Sequence, residues 1–532
     1  MAGVISAASA RTRTTVLLNL ASIVEKADEQ VLPAVYFFIM RSLKCTPSQL
    51  GTLTLCRALV QALSSPISGV LGDKYDRTHI IAVGCFLWGI MTSAIGLSTS
   101  VYQAMLWCAF NGVGLALVIP CIQSLIADYN PPEQRGSAFG LMFFISAMGG
   151  MIGGFFGTNV GHFQPLGIEG WRLAFHLMAL VSLVTAALVF LHAADPRRKG
   201  LISPLLLSEL GMAHAHKDSM DEKEMLRHAT GSHGSLKSML NASRPASGGK
   251  GTSVSSHFRQ MYEDVMTVMR IRTFQLIILQ GIVGTTPWCA MVFFTLWLQL
   301  LGFSDLVSST IMATFSCGCA LGAFMWGLIG DQMSRRFPNA GRIITCQLSV
   351  VTGLPLSALV LKGLPTTTVG GGPMDELLLT YACSMLLMGF VISGCGANNS
   401  AMFADIVPEE LRSTVYAFDR SFEGGVAASA APLVGLIAEN AFGYAGSVGE
   451  APGATGEAQN RSNADALSSS LLVCLLVPWS LCFLFYFSLY SFYPRDRRKT
   501  KELSAALAPH RARSDGRPGV FGSGGFRRIA ND

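Results

Sequence analysis

The chain has 532 residues, of which 50% are hydrophobic and only 14% are charged, with a mean hydropathy of +0.44 and a net charge of +6. Soluble proteins carry about 25% charged residues, so these values exclude a soluble enzyme, a disordered chain and a protein with a single membrane anchor. The basic residues stand in short clusters beside apolar runs, which is typical of membrane proteins and excludes a nucleic-acid-binding protein. The composition predicts a polytopic membrane protein.

Apolar runs bounded by glycine, proline or charged residues divide the chain into candidate transmembrane helices. A helix needs about 20 predominantly apolar residues to cross a bilayer, and twelve runs meet that length. We number them spans 1 to 12, and they cover residues 14–40, 48–71, 79–98, 102–127, 136–160, 172–193, 272–301, 306–330, 342–361, 376–404, 413–440 and 467–493. The predicted fold class is an all-α membrane protein with 12 transmembrane helices in two six-helix bundles.

Polar segments set the predicted boundaries of the bundles. Residues 194–270 are rich in serine, histidine, lysine and arginine, which favours a mostly disordered loop that ends in a short surface helix over 257–270. The predicted order is an N-terminal segment, the N-terminal bundle, this loop, the C-terminal bundle and a basic disordered tail, over residues 1–13, 14–193, 194–270, 271–493 and 494–532. Cytoplasmic loops carry an excess of lysine and arginine. The loops on the side of the termini are the basic ones, so we expect both termini in the cytoplasm.

Two short motifs recur in both halves of the chain. Gly69-Val-Leu-Gly-Asp73-Lys-Tyr-Asp-Arg77 follows span 2, and Gly327-Leu-Ile-Gly-Asp331-Gln-Met-Ser-Arg335 follows span 8. Likewise, an Asp-x-x-Pro-x-Glu-x-Arg pattern begins at Asp128 after span 4 and at Asp405 after span 10. A repeat of six plus six spans is typical of alternating-access transporters, with a site between the halves near the membrane midplane.

The repeated motifs predict a cytoplasmic gate. An aspartate at a helix end and an arginine one turn later bridge to the neighbouring bundle when that side is closed, and the bridges break when it opens. The gate residues expected on this basis are Gly69, Asp73, Arg77, Asp128, Glu133, Arg135, Asp331, Arg335, Asp405, Glu410 and Arg412.

These motifs resemble the major facilitator superfamily, whose loop 2–3 has an aspartate and basic residues after a glycine. The Asp-Lys-Tyr-Asp-Arg form at 73–77, together with Asn19 and the later Glu25-Lys26 pair, is similar to the Spinster branch of lysophospholipid and sphingolipid exporters. The plant and green-alga type is the most similar, through Glu25-Lys-Ala-Asp-Glu, Pro287-Trp288 and Tyr416-Ala-Phe-Asp-Arg-Ser-Phe-Glu-Gly. The resemblance covers both halves, about residues 14–493, and implies a major facilitator fold and a lipid-like substrate.

One position departs from the Spinster pattern. Spinster proteins typically carry Gly-x-Gly-Glu-Ala in span 4, where the acid is implicated in coupling, and this chain has Gly112-Val-Gly-Leu115-Ala. Proton coupling through that position is therefore not implied by the resemblance. Protons remain one candidate coupling ion among others.

Span 1 contains a run of charged residues near its centre, namely Glu25, Lys26, Asp28 and Glu29. Each charge at a helix centre costs roughly 2.5–3.5 kcal/mol on insertion scales, so the run inserts only if it faces a wet cavity and finds partners. The three acids share one helix face at i, i+3 and i+4, and Arg57 in span 2 is the expected partner because intramembrane ions pair. The alternative is that span 1 begins later and the run is solvated at its mouth.

Two further sets of residues complete the predicted site. Asp419, Arg420 and Glu423 form a second charged set in span 11, which serves either a gate or site or a purely structural ion pair. The aromatic residues Trp288, Phe293 and Trp297 in span 7 either pack against neighbouring helices and lipid or form an apolar wall for an amphipathic substrate. Pro287 beside them is expected to kink the span.

No catalytic, phosphate-binding or metal-ligating motif stands in a plausible context, so we expect neither an enzyme nor a cofactor. The sequence predicts a secondary transporter that moves a small organic or lipid-like solute by alternating access, in contact with membrane lipid. Two alternatives stay open. One is a proton-coupled carrier of a polar metabolite such as a sugar or organic anion, and the other is a non-transporting sensor or scaffold with a transporter fold. The membrane stays open between the plasma membrane, an endomembrane such as that of the vacuole or lysosome, and the plastid envelope.

Overall fold

The computed structural model describes residues 2–129, 135–164, 167–195, 272–367, 372–406, 423–445 and 454–514. Several expected features lie outside these residues, namely the surface helix over 257–270, the gate residues Glu133, Glu410 and Arg412, and the span 11 residues Asp419 and Arg420. The side chains of Asp73, Asp128 and Arg135 are likewise outside the description.

In its described residues, the first half of the chain forms seven helices. They are α1 (Ala2–Ala34), α2 (Tyr36–Leu43), α3 (Pro47–Lys74), α4 (Arg77–Gly96), α5 (Val101–Tyr129), α6 (Arg135–Val160) and α7 (Gly170–His192). Local sequence sets their starts: Thr46 caps α3 in a capping box with Gln49, and Asp76 caps α4 by accepting from the Thr78 amide. These side chains satisfy amide groups that have no partner within the helix.

The second half forms eight helices in the described residues, because spans 7 and 10 are each divided. They are α8 (Arg272–Ala290), α9 (Phe294–Leu301), α10 (Asp305–Arg336), α11 (Gly341–Ala358), α12 (Leu378–Ile392), α13 (Gly394–Ile406), α14 (Ala430–Ala441) and α15 (Ala454–Ser514). Span 7 contains Pro287, and one turn later a 3₁₀ segment over Met291–Phe293 separates α8 from α9. Proline removes a helical hydrogen bond, which accounts for a change of helix geometry nearby.

Eight helical segments of the described residues are long and apolar enough to cross a membrane. The helices that contain spans 1, 2, 5 and 11 are not among them, although α1, α3 and α6 each exceed 25 residues. In span 1 the charged run at residues 25–29 lowers the hydropathy. The helix is present regardless, which means that tertiary contacts and not hydrophobicity alone hold it in the bundle.

Two helices extend beyond the predicted boundaries. Helix α1 begins at Ala2, where a separate N-terminal segment was expected, and α15 continues past Pro494 to Ser514, where a disordered tail was expected. A hydrogen bond from Thr273 Oγ1 to Asp496 Oδ2 of 2.6 Å ties the extended part of α15 to the start of α8. The chain beyond residue 514 lies outside the description.

The two halves meet most closely at the end of the molecule remote from both termini. There the start of α3 packs on α14, and α6 packs on α10. Gly51 and Gly435 permit this approach, because a Cβ atom at either position would overlap the backbone of the facing helix, at Ala431 and Ser48 respectively. Small residues at helix crossings allow such close backbone contact in membrane proteins.

Candidate functional site

The charged run of span 1 lies inside an unbroken helix. Helix α1 passes through residues 25–29 without interruption, and Glu25 and Asp28 are buried, with 5% and 3% of their surfaces exposed. Lys26 and Glu29 face more open space: their side chains are 39% and 37% exposed, and they form an ion pair with each other. Lys26 Nζ also lies 3.7 Å from Glu25 Oε1. The helix therefore has a buried acidic face and a partly open zwitterionic face.

Asp28 is held by polar groups of neighbouring spans. Thr92 Oγ1 of α4 donates to Asp28 Oδ1 at 2.9 Å, and Asn111 Nδ2 of α5 donates to Thr92 Oγ1 at 3.0 Å. The three side chains form a chain of hydrogen bonds across three helices. Asn111 Oδ1 is buried and has no hydrogen-bond partner among the described residues. Such an acceptor is costly to leave unsatisfied, so it marks this cluster as a place where a proton donor fits.

Arg57 joins the cluster, but it donates to a backbone carbonyl, whereas the sequence predicted a pair with the carboxylates of span 1. Its Nη2 donates to the backbone carbonyl of Glu29 at 3.2 Å, not to a carboxylate. The guanidinium is buried, and its charge acts on both Glu25 and Asp28. Gly112 packs directly on the Arg57 backbone, where a larger residue would not fit. Span 4 therefore contributes a close approach and Asn111 to this region, whereas Leu115 is buried in the apolar core.

The second half contains a neutral polar cluster. Asn399 of α13 donates through Nδ2 to Gln280 Oε1 of α8 at 3.0 Å and accepts at Oδ1 from the Tyr486 hydroxyl of α15 at 3.0 Å. Gln280 Nε2 in turn donates to Cys482 Sγ at 3.1 Å. Gln280 and Tyr486 are fully buried. Glu423, the described member of the span 11 set, places its carboxylate against Gly281 beside this cluster.

The three aromatic residues of span 7 have different surroundings. Trp288 is 37% exposed, whereas Phe293 and Trp297 are buried. The Phe293 ring lies 5.4 Å from that of Tyr36 in the other half, and Trp297 lies 6.1 Å from Tyr381. Only Trp288 of the three therefore offers a partly open surface to an apolar solute, since the other two form core contacts.

Three of the described gate residues, Asp331, Asp405 and Arg77, have partners within their own half. Asp331 pairs with Arg342 at 2.7 Å, while Arg335 is exposed. Asp405 accepts from the Tyr493 hydroxyl at 2.6 Å and lies 3.2 Å from Arg497. In the first half, the backbone amide of Arg77 donates to Asp195 at 3.2 Å. Each of these contacts joins helix ends within a single bundle, at the end of the molecule that carries the termini.

Hydrogen bonds between the halves cluster at the opposite end. Ser48 donates to Glu439 from its backbone amide at 2.8 Å and from its hydroxyl at 3.0 Å. Asn159 Nδ2 donates to Ser309 Oγ at 3.0 Å. The molecule is therefore joined across its halves at the end remote from the termini.

A small cavity of about 60 Å³ lies between the halves. Its lining comes from spans 1 and 5 on one side and spans 7 and 8 on the other, and includes Gln30, Gly150, Thr158, Thr295, Ser309 and Ser316. Gln30 lies one turn after Lys26 on the same face of α1, so this space adjoins the Lys26 side of the charged run.

Sequence reasoning missed six residues that the structure brings into these clusters: Thr92, Asn111, Gln280, Asn399, Glu439 and Tyr486. Asn111, Gln280 and Asn399 had a signal, because amide side chains inside apolar spans are rare and usually functional or paired. Thr92 and Tyr486 had none, since threonine and tyrosine are common in spans. Glu439 stands near the end of span 11 and gives no local sign of a partner in span 2.

A comparison with protein families matches the model of the Major Facilitator Superfamily over residues 18–432. Among curated relatives, the quinolone resistance protein NorA of Staphylococcus aureus is 29% identical over 171 residues, which is 32% of this chain and 42% of that protein. Multidrug resistance protein 1 of Bacillus subtilis is 27% identical over 160 residues, 30% of this chain and 40% of that protein. The matched region thus spans less than half the length of these relatives.

Solved structures share the fold across nearly the whole chain. A bacterial homologue of the human lysosomal transporter Spinster, in an inward-facing and unoccupied conformation, has a TM-score of 0.67 at 19% identity, covering 92% of this chain and 98% of that one. A D-xylose-proton symporter has a TM-score of 0.56 at 11% identity, covering 87% of this chain and 97% of that one. At these identities the likeness concerns the fold.

Proposed function

This chain belongs to the Major Facilitator Superfamily, and from that premise we propose that it is a secondary transporter that moves a small organic or lipid-like solute by alternating access. It is an integral, multi-pass membrane protein. On this proposal, residues 14–193 and 271–493 are the two moving bundles, both termini face the cytoplasm, and the described conformation faces inward.

One observation carries the proposal. The side chains of Glu25, Asp28 and Arg57 form a buried charged cluster near a small space between the bundles, and the hydrogen bonds that join the two halves in the described residues lie at one end. Buried charges in a membrane are expensive and are retained where they serve a substrate or ion pathway. A site of this kind, reached from one side at a time, is what alternating access requires.

The geometry supports an amphipathic solute. The open face of α1 presents Lys26 and Glu29, a pair of opposite charges that suits a zwitterionic head group, while Trp288 and the apolar lining of spans 5 and 8 suit a hydrocarbon part. The similarity to NorA, whose name records quinolone resistance, favours a small organic solute.

A proton-coupled carrier of a polar metabolite is the second candidate, and Asp28 favours it. This buried carboxylate accepts from Thr92, which accepts in turn from Asn111, and an unsatisfied acceptor lies nearby, so it is suited to gain and lose a proton. Leu115 occupies the position where an acid is implicated in coupling in Spinster proteins, which leaves the acids of spans 1 and 11 as the candidates.

The test is solute-dependent thermal stabilisation of the purified protein at two pH values. The solutes are lysophospholipids, sphingoid bases, sugars and organic anions, and the variants are Glu25→Gln and Arg57→Ala. Glu169→Gln is the matched control, because Glu169 lies at the start of α7 and, in the described residues, accepts hydrogen bonds from Ser42, Trp171 and Arg172, all in the first half. We expect lysolipids to raise Tm in the wild type and in the control but not in the two variants.

Two other outcomes would redirect the proposal. Stabilisation by sugars or organic anions alone, growing as the pH falls, would support the proton-coupled carrier. No stabilisation by any solute, with both variants behaving like the wild type, would contradict the site and favour a sensor or scaffold.

A further inference from the structure

Glu439 occupies an unfavourable place in its own helix. It lies in the last turn of α14 (Ala430–Ala441), where the exposed carbonyl groups give the helix a partial negative charge. An acidic side chain there is destabilising, whereas a basic one would be stabilising. The position of this carboxylate is therefore explained by what it contacts outside α14.

That contact is the beginning of α3 in the other half. Ser48 is the second residue of α3, and both its amide and its hydroxyl donate to Glu439, to Oε1 at 2.8 Å and to Oε2 at 3.0 Å. The next amide, that of Gln49, is taken by the Thr46 cap, and Pro47 has no amide hydrogen. Glu439 thus satisfies the amide that the local cap of α3 leaves unpaired, and its charge faces the positive end of that helix.

Close backbone contacts between the two halves surround the Ser48–Glu439 pair. Gly435, one turn before Glu439, packs on the backbone of Ser48, and Gly51 packs on the backbone of Ala431. The Tyr444 hydroxyl donates to Met40 Sδ at 3.3 Å just beyond. When the halves separate at this end, the Glu439 hydrogen bonds and the glycine contacts are lost together.

We propose that Glu439 is the residue that holds the gate remote from the termini closed, by capping α3 of the opposite half with its carboxylate. This inference rests on the proposed function, since a gate has its purpose in alternating access. Glu439 acts as a positioning residue: it does not line the space beside the charged cluster, and it sets the balance between the two conformations. Removing its negative charge shifts that balance toward the state that is open at this end.

The test measures the conformation directly and needs no solute. Spin labels carried by unnatural amino acids, which leave the 13 native cysteines in place, are attached at two pairs of exposed positions. Arg41 and Phe442 report the remote end, and Tyr75 and Gln332 report the end of the termini. Pulsed electron paramagnetic resonance then gives the distance distribution across each end.

We expect Glu439→Gln to increase the population with a long 41–442 distance and a short 75–332 distance by about five- to tenfold. This is the factor that corresponds to loss of a partly buried charge at a helix end. Ser48→Ala, which removes one of the two hydrogen bonds, is expected to shift the population in the same direction by less. The double variant should open no further than Glu439→Gln alone, because both changes break one contact.

Glu169→Gln is the matched control, since this glutamate lies on the same face of the molecule but contacts only its own half. It should leave both distance distributions unchanged. Distributions in Glu439→Gln that match the wild type, or additive effects of the two gate substitutions, would overturn the proposal. A solute-dependent Tm shift together with unchanged distance distributions in Glu439→Gln would contradict the role of Glu439 and leave the transporter proposal intact. Changed distance distributions without any solute-dependent Tm shift would support the role of Glu439 and contradict the proposed solute site.

Discussion

The two halves share a fold and repeated motifs, yet the polar groups in their interiors differ in kind. In the first half the interior holds ionisable side chains, Glu25, Asp28 and Arg57, that are stabilised by hydrogen bonds from α4 and by each other's charge. In the second half, Gln280 and Tyr486 form a neutral cluster around Asn399, and the carboxylate of Glu423 lies beside it. We infer that the first half supplies the charge that binds a solute or ion, and the second half supplies a stable surface against which it moves.

Among the substitutions that test this contrast, Arg57→Ala is expected to lower the free energy of unfolding most. Removing one partner of a buried charged cluster leaves carboxylates without compensation, which typically costs about 3–5 kcal/mol. We expect a large drop in the free energy of unfolding, measured by denaturation of the purified protein in detergent. Arg57→Lys should recover part of the loss because it restores the charge. A loss below about 1 kcal/mol would show that the carboxylates of Glu25 and Asp28 are not ionised together.

Thr92→Val should have the next largest effect. It keeps the side-chain volume but removes the donor to Asp28, and a hydrogen bond to a charged group contributes about 1.5–3 kcal/mol. The same denaturation experiment measures it. Combined with Asp28→Asn, the substitution should cost clearly less than it does alone, because the charged acceptor is gone. Equal costs in the two backgrounds would mean that Asp28 is not the group that Thr92 stabilises.

Gln280→Leu tests the neutral cluster. Interhelical hydrogen bonds in membrane proteins contribute on average about 0.6 kcal/mol and at most about 1.7, so we expect a loss of about 1 kcal/mol. Solute-dependent stabilisation should be retained, in contrast to Glu25→Gln. If Gln280→Leu abolishes the solute effect as completely as Glu25→Gln does, the division of roles between the halves is wrong.

The smallest expected effect is a pH dependence at the surface of the first half. Burial alone would raise the pKa of Glu169, but hydrogen bonds from Ser42 and Arg172 outweigh it, so the pKa lies below its usual value of 4.5. A lowered pKa in the folded state stabilises the protein above that usual value, and the stabilisation is lost as the pH falls through the folded pKa. The Tm of the wild type should therefore fall slightly more than the Tm of Glu169→Gln as the pH is lowered below about 4.5. Parallel pH profiles would contradict this.

Much of the fold was predictable because it depends on local properties of the chain. Apolar runs predicted the helices, and the family match and shared fold confirm the twelve-span, two-bundle class. Boundaries were less predictable: α15 runs on to Ser514 because the residues after Pro494 have good helix propensity and gain a contact at Thr273. The division of span 7 near Met291 was indicated by Pro287, although its position one turn later was not.

The candidate site was predictable in its charged members but not in their partners. Four charges in an apolar run indicated the candidate site region in span 1, and a lone arginine in span 2 indicated Arg57 as a member. Which atoms meet was not predictable. Arg57 donates to the Glu29 carbonyl, Thr92 donates to the Asp28 carboxylate, and Asp331 forms an ion pair with Arg342 on the next helix.

The sequence by itself determined where helices form, that the chain repeats as two halves and that span 1 holds buried acids. These properties follow from hydrophobicity and spacing along one helix. Only the tertiary structure decided that Glu439 caps a helix of the opposite half, and that Asn111 and Gln280 belong to clusters. A hydrogen bond requires its atoms within about 3 Å, and that distance is set by how glycines such as Gly51 and Gly112 let helices far apart in the chain approach each other.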